Sequence, residues 1–216
     1  MALYIVTNPA SLRARRNLSK VTQSLAKNIQ RLSSGLRINS AADDPTGTAI
    51  SSKLSAHIKG LKQAERNTND AVSLMQTADS ALSEAHGLLS RMRELAVEAS
   101  SSGTMDTTER GYLDDEFQLL ESELDRIIDI TEYNGLKLIN GALSAGATFQ
   151  VGMRNSTNDR VSVAITDTGS TDLGLNDDTI GLVANASTAI TALDTAITSL
   201  ATKRATIGAT QNRLTV

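Results

Sequence analysis

The chain has 216 residues, a formal net charge of −3 and no cysteine, so disulfides and thiolate metal sites are excluded. Three tyrosines, two phenylalanines and no tryptophan leave little material for an aromatic-lined ligand pocket, which argues against an enzyme. The charge is unevenly distributed, because residues 1–42 contain seven Lys or Arg and no Asp or Glu. Residues 43–216 hold the other 14 basic residues and all 24 acidic ones, a net charge of −10. This asymmetry indicates that the N-terminal segment contacts something that the rest of the chain does not.

Residues 1–42 form a basic arm that is predicted to be helical. Apolar side chains recur at helical spacing on one face, opposite Arg and Lys, at Leu18, Val21, Leu25, Leu32 and Leu36. The helical pattern stops at Ser33-Ser34-Gly35. A single amphipathic helix is only marginally stable in water and needs a partner over its apolar face. We therefore expect Leu18, Leu25 and Leu32 to pack against other subunits.

A heptad pattern begins at Ile50 and continues without interruption to Ala99. Apolar or small residues alternate four and three positions apart, which is typical of a long coiled-coil-like helix. Asp43 and Asp44, followed by Pro45, match an N-terminal cap and first turn. A helix from residue 45 to 100 would be about 80 Å long, so the sequence predicts a rod.

Two further apolar stripes predict helices that share a core with the first one. The first stripe runs from Leu113 to Thr131, after a turn rich in Ser, Gly and Thr, and the second runs from Ile190 to Leu214. The predicted fold is therefore mainly α, a long antiparallel helical rod resembling a coiled-coil bundle. Residues 43–135 would form the long helix and its return, and residues 180–216 the last rod helix. The expected packing positions are Met75, Leu82, Leu89, Phe117, Leu124, Ile197 and Leu200.

Between the second and third helices the apolar pattern changes to a period of two. Phe149 and Val151, and later Val161 and Val163, alternate with polar or small residues, and the Asn134-Gly135 pair supplies a turn. Residues 136–179 are therefore predicted to hold a small β-hairpin followed by a loop. The stretch from 167 to 176 is expected to be an exposed loop, with Asp177 and Asp178 capping the third helix.

Three segments of the chain have distinctive sequences. The longest runs from Ile29 through Arg31-Leu32-Ser33-Ser34-Gly35-Leu36-Arg37-Ile38-Asn39-Ser40 and Asp43-Asp44-Pro45 to Ser51. The other two are Arg91-Met92-Arg93-Glu94-Leu95-Ala96-Val97 and Tyr133-Asn134-Gly135-Leu136-Lys137-Leu138. In sequence and in order, these segments resemble bacterial flagellins. The resemblance implies a homopolymeric filament subunit of the extracellular bacterial flagellum that serves motility. It also implies unfolded export through the flagellar type III apparatus, aided by chaperones.

The resemblance carries two further expectations. Gln211-Asn212-Arg213-Leu214 is similar to the middle of the family's C-terminal helical region, so the helix that pairs with the arm is expected to be absent. On that reading the chain polymerises poorly alone. Arg91, Leu95 and Glu116 match the positions through which many flagellins are recognised by Toll-like receptor 5. The alternative is that Arg91 and Glu116 are solvated helix charges and that Leu95 is a packing residue.

Other functions are left open as alternatives. A hook-filament junction protein is the nearest rival, and a helical module that binds nucleic acid or a membrane surface through the basic arm is a second. The arm lacks interleaved aromatic residues and clustered lysines, so no nucleic-acid partner is expected, and no apolar run is long enough for membrane insertion. His57 and His86 lie far apart on one helix, so no metal, cofactor or catalytic site is expected.

Overall fold

The structure is a computed structural model that describes residues 8–103, 105–175 and 179–215. The chain divides into two compact units, one up to Lys59 and one from Gly60 onward. The long helix α2 (Pro45–Ala99) begins in the first unit and ends in the second. Within the described residues, no helix is long and apolar enough to cross a membrane.

The first unit is built on helix α1 (Pro9–Ser34), which has a defined start and end. The Asn8 side chain accepts hydrogen bonds from the main-chain N–H groups of Ala10 and Ser11, at 3.1 and 3.3 Å. Pro9 occupies the first turn, where its missing N–H costs nothing. Gly35 ends the helix in the left-handed conformation, with a φ of 67°. None of the side chains of α1 is buried.

Two aspartates organise the connection between α1 and α2. The Asp43 carboxylate lies 3.1 Å from Lys27 Nζ and accepts hydrogen bonds from Ser40 Oγ and the main-chain N–H of Asn39. Asp44 caps α2, because its Oδ1 accepts a hydrogen bond from the main-chain N–H of Gly47 at 2.9 Å. The predicted capping of the long helix is therefore confirmed for Asp44.

The second unit is a set of antiparallel helices around one core. Helix α3 (Thr107–Ile130) runs antiparallel to α2, since Arg91 contacts Glu116 whereas Ala99 contacts Arg110. Helix α5 (Val183–Thr215) also runs antiparallel to α2, because its ion pairs to α2 are Arg93–Asp194 and Asp79–Arg204. The predicted mainly α fold with antiparallel helices is confirmed.

Two short antiparallel hairpins follow α3. Strands β1 (Glu132–Tyr133) and β2 (Leu136–Lys137) flank Asn134 and Gly135, whose φ angles of 51° and 78° suit a tight hairpin turn. Strand β3 (Ala147–Gln150) pairs with β4 (Arg160–Val163), and Phe149 lies opposite Val161. This pairing confirms the predicted hairpin. Val161 and Val163 of β4 are buried in the core of the second unit.

The prediction of an exposed loop from residue 167 to 176 is wrong for its described part. This stretch contains the short helix α4 (Ser170–Leu173), and Leu173 and Leu175 belong to the core. Both the N–H and the hydroxyl of Ser170 donate to the Asp125 carboxylate of α3, each at 2.8 Å. These long-range hydrogen bonds attach α4 to α3. The predicted caps Asp177 and Asp178 lie outside the described residues.

Candidate functional site

The most exposed apolar surface of the first unit is one face of α1, here called the arm stripe. Its side chains are between 58% and 86% exposed, and they are Leu18, Val21, Leu25, Ile29 and Leu32. Their spacing of three and four places all five on one side of the helix. The predicted apolar face contained all of these residues except Ile29, which completes the i, i+4 spacing after Leu25.

The opposite side of α1 is basic, and this basic face consists of Arg13, Arg16, Lys20, Lys27 and Arg31. At 3.6 residues per turn these positions project away from the arm stripe. Lys27 and Arg31 lie 3.1 and 4.0 Å from the Asp43 carboxylate. Among the described residues, no acidic group lies within ion-pair distance of the other three. The cations available to an external partner are therefore concentrated in the first half of α1.

The packing residues predicted in the second unit fill the chain's own core. The side chains that are fully buried are Met75, Leu82, Leu89, Phe117, Leu124 and Leu200, whereas Ile197 is half-buried. The heptad positions near the start of α2 differ, because Ile50, Leu54 and Leu61 are each more than half exposed. Contact with another subunit therefore stays a prediction for Leu18, Leu25 and Leu32, and the buried set packs within the subunit.

Arg91 and Glu116, two of the predicted receptor residues, form an exposed ion pair between α2 and α3. Arg91 Nη2 and Nε donate to Glu116 Oε1 at 2.8 and 3.0 Å, and Nη1 donates to Glu94 at 3.1 Å. The Glu116 carboxylate, and after it that of Glu94, raises the pKa of Arg91 above its ordinary value. The side chains of Arg91 and Glu116 are 49% and 44% exposed. Glu94 was not among the predicted receptor residues, although a search for i, i+3 partners of Arg91 would have found it.

Leu95, the third predicted receptor residue, is fully buried in the core. Because this side chain has no exposed surface, a receptor that contacts the folded chain could touch only Arg91 and Glu116 of this set. The packing interpretation of Leu95 is the one that its burial supports.

The described parts of the chain contain no group of three or more His, Asp or Glu side chains arranged to hold a metal ion. His57 and His86 are half-buried positions on α2.

Comparison with known proteins gives consistent matches. The sequence profile of the bacterial flagellin N-terminal helical region matches residues 5–144. A flagellin of Halalkalibacterium halodurans is 39% identical over 212 residues, which cover 98% of this chain and 77% of that protein. The crystal structure of Bacillus cereus flagellin has a TM-score of 0.61 at 34% identity, covering 69% of this chain and 85% of that one.

A structure described as a flagellar hook-associated protein from Vibrio parahaemolyticus has a TM-score of 0.66. The match covers 81% of this chain and 91% of that one, but the sequence identity is 13%. Likeness at this identity concerns the fold alone.

Proposed function

This chain belongs to the bacterial flagellin family, and on that premise we propose that it polymerises into the flagellar filament through the arm stripe on α1. Flagellins are structural proteins, so the prediction that the chain is not an enzyme is confirmed by its family. The observation that carries the proposal is the exposure of the arm stripe, whose five apolar side chains lie along one face of a helix with no buried residue.

Burial of the arm stripe against neighbouring copies provides a strong driving force for association. Fully burying one Leu or Ile side chain contributes about 1.5–3 kcal/mol, and five such residues act together along one face. Monomeric proteins rarely expose a contiguous apolar surface of this kind unless it serves an interaction. Each copy carries the same stripe, so association can continue from subunit to subunit.

Export and motility belong to the same proposal. The subunit is exported unfolded by the flagellar type III apparatus, with chaperone help, and acts in the extracellular filament during motility. The chain contains no cysteine, so no disulfide would restrict its passage as an extended polypeptide. The family membership supports these roles.

The experiment that tests the polymerisation proposal compares the chain with variants of the arm stripe. Sedimentation and negative-stain microscopy compare the unmodified chain with each variant at high protein concentration, where weak polymerisation is also detected. Leu25→Glu is expected to raise the critical concentration about 30-fold, because one apolar contact of about 2 kcal/mol is lost. Gln23→Glu adds the same charge off the stripe and should change it little. Equal effects of the two variants, or filaments unaffected by Leu25→Glu, would refute the role of the stripe.

The exposed Arg91–Glu116 pair supports a second proposed function, recognition by Toll-like receptor 5. The guanidinium and the carboxylate are both about half exposed, and Arg91 also bonds to Glu94, so the three side chains present a charged surface. Leu95 would contribute only as a buried residue of the core. An assay of Toll-like receptor 5 signalling in reporter cells tests this proposal.

A further inference from the structure

We propose that α1 of the unassembled subunit binds the surface of anionic lipid bilayers, with the arm stripe at the acyl boundary and the basic face among the headgroups. This is a second partner for the helix, used when no neighbouring copy covers the stripe. Binding of this kind lies in the plane of the membrane interface and requires no spanning segment.

The dimensions of α1 fit an interfacial helix. An amphipathic helix buries its apolar face about 5–10 Å into the headgroup and acyl boundary, and a helix with side chains is about 10–12 Å across. The face opposite the arm stripe would therefore lie at the level of the lipid phosphates. Arg13, Arg16 and Lys20 occupy that face without an acidic partner among the described residues.

The distribution of charge along α1 also favours an external anion. Helix N-termini carry partial positive charge and are stabilised by acidic side chains, whereas cations there are unfavourable. The first turn of α1 has no acidic residue, and Arg13, Arg15 and Arg16 follow within two turns. An anionic surface beside these turns would relieve the repulsion, and each Lys or Arg near such a surface strengthens binding about fivefold.

A lipid surface fits both faces of α1, whereas nucleic acid fits one. Phosphates of DNA or RNA would pair with the basic face and leave the arm stripe in water. The helix from Pro9 to Ser34 has no aromatic side chain on which bases could stack. A bilayer with anionic headgroups covers the apolar face and neutralises the basic one in a single contact.

The first experiment measures binding of the full chain to vesicles, at concentrations where sedimentation velocity shows monomer. Vesicles of phosphatidylglycerol and phosphatidylcholine are compared with vesicles of phosphatidylcholine alone. We expect flotation with the anionic vesicles only, weakening at high salt. The triple variant Arg13→Gln, Arg16→Gln, Lys20→Gln should bind about 100-fold more weakly, because three charges are lost from the interface.

A matched control removes the same number of charges from another exposed helical surface. Lys53→Gln, Lys59→Gln and Lys62→Gln lie on the first part of α2, and all three side chains are exposed. This control should bind within about twofold of the unmodified chain, because its charges are not at the lipid contact. Equal losses in the two triple variants would overturn the proposal, since the attraction would then be nonspecific.

A second experiment tests which face of α1 enters the interface, and it uses the absence of tryptophan from the chain. Leu25→Trp places a fluorescent reporter on the arm stripe, and Gln23→Trp places one toward the basic face. With anionic vesicles we expect a blue shift of emission for Leu25→Trp and little or none for Gln23→Trp. Equal shifts in the two variants, or no shift for Leu25→Trp, would overturn the proposal. In the binding measurements, it would be overturned by equal binding to phosphatidylcholine vesicles, or by binding to DNA but not to vesicles.

Discussion

The guanidinium of Arg110, in the first turn of α3, donates from Nε to the main-chain carbonyl of Ala99, the last residue of α2, at 3.1 Å. Its Nη2 also donates to the carbonyls of Met105 and Ser101, at 2.8 and 3.3 Å. Arg110 is buried, and the carbonyls at a helix C-terminus carry partial negative charge that compensates the cation. This one side chain therefore fixes where the return helix starts along α2.

Replacing Arg110 tests how much this link contributes to stability. Arg110→Met keeps most of the apolar stem and removes all three hydrogen bonds, so we expect a loss of about 2–3 kcal/mol in the free energy of unfolding. Urea unfolding followed by far-UV circular dichroism measures it. Arg66→Met is the control, because Arg66 is exposed and, among the described residues, bonds only to Gln63 three positions away. The loss of stability in this variant should be much smaller. Equal losses would show that the link is not a major stabilising contact.

The receptor proposal predicts a loss of signalling without a loss of stability. Arg91→Ala removes the pair with Glu116, which is about half exposed, and exposed ion pairs contribute little to folding. We expect much weaker activation in cells that report Toll-like receptor 5 signalling, with an unchanged unfolding curve. Arg93→Ala is a close control, because Arg93 is also half exposed and pairs with Asp194 at 2.6 Å. Unchanged signalling by Arg91→Ala, or an equal loss in both variants, would contradict the proposal.

The heptad pattern predicted the helices, but it could not identify what covers each seam. Met75 and Leu82 continue the same repeat as Ile50 and Leu54, yet the first two are fully buried and the last two are more than half exposed. The repeat indicates that a residue packs against a partner. That partner can be another part of the same chain or a different molecule. The family motif likewise does not show that Leu95 is buried.

The features that sequence reasoning missed depend on contacts between distant residues. Asp125 holds Ser170, which is 45 positions away, and Lys203 bonds to the Asp167 carbonyl and to the Asp172 carboxylate at 3.2 Å. Local composition rich in Asp, Gly and Thr favours a loop, and these tertiary bonds overrode it. The capping by Asp44 and the Asn134-Gly135 turn were predictable, because their signals lie within four residues.

The Asp43 contacts predict a pH dependence for the connection between α1 and α2. The hydrogen bond from Lys27, and after it those from Asn39 and Ser40, hold the pKa of Asp43 below its ordinary value. Because the pKa is lower in the folded chain, these contacts stabilise the connection above the ordinary carboxyl pKa of about 3.9. The stabilisation is lost as the pH falls through the lowered value.

The measurement is an NMR titration of the Asn39 amide, which donates to Asp43 Oδ2 at 3.4 Å. We expect a midpoint below the ordinary carboxyl value and, in Asp43→Asn, no titration of this amide in that range. A midpoint at or above the ordinary value would contradict the prediction. Persistence of the titration in Asp43→Asn would show that another group is responsible.

Two glycines should respond to alanine with opposite signs, because only one has a backbone that alanine resists. Gly135 has a φ of 78° in the β1–β2 turn, and an added Cβ would meet no atom within 4 Å. Gly135→Ala therefore isolates backbone strain, and we expect a loss of about 1–2 kcal/mol in the free energy of unfolding. Gly87 lies inside α2 with equally open space around its Cβ position. Gly87→Ala should instead stabilise the chain by about 0.5–1 kcal/mol, since alanine has lower entropy in the unfolded state. Urea unfolding of both variants measures these changes in the free energy of unfolding. Changes of the same sign in the two variants would contradict the assignment of strain to the turn.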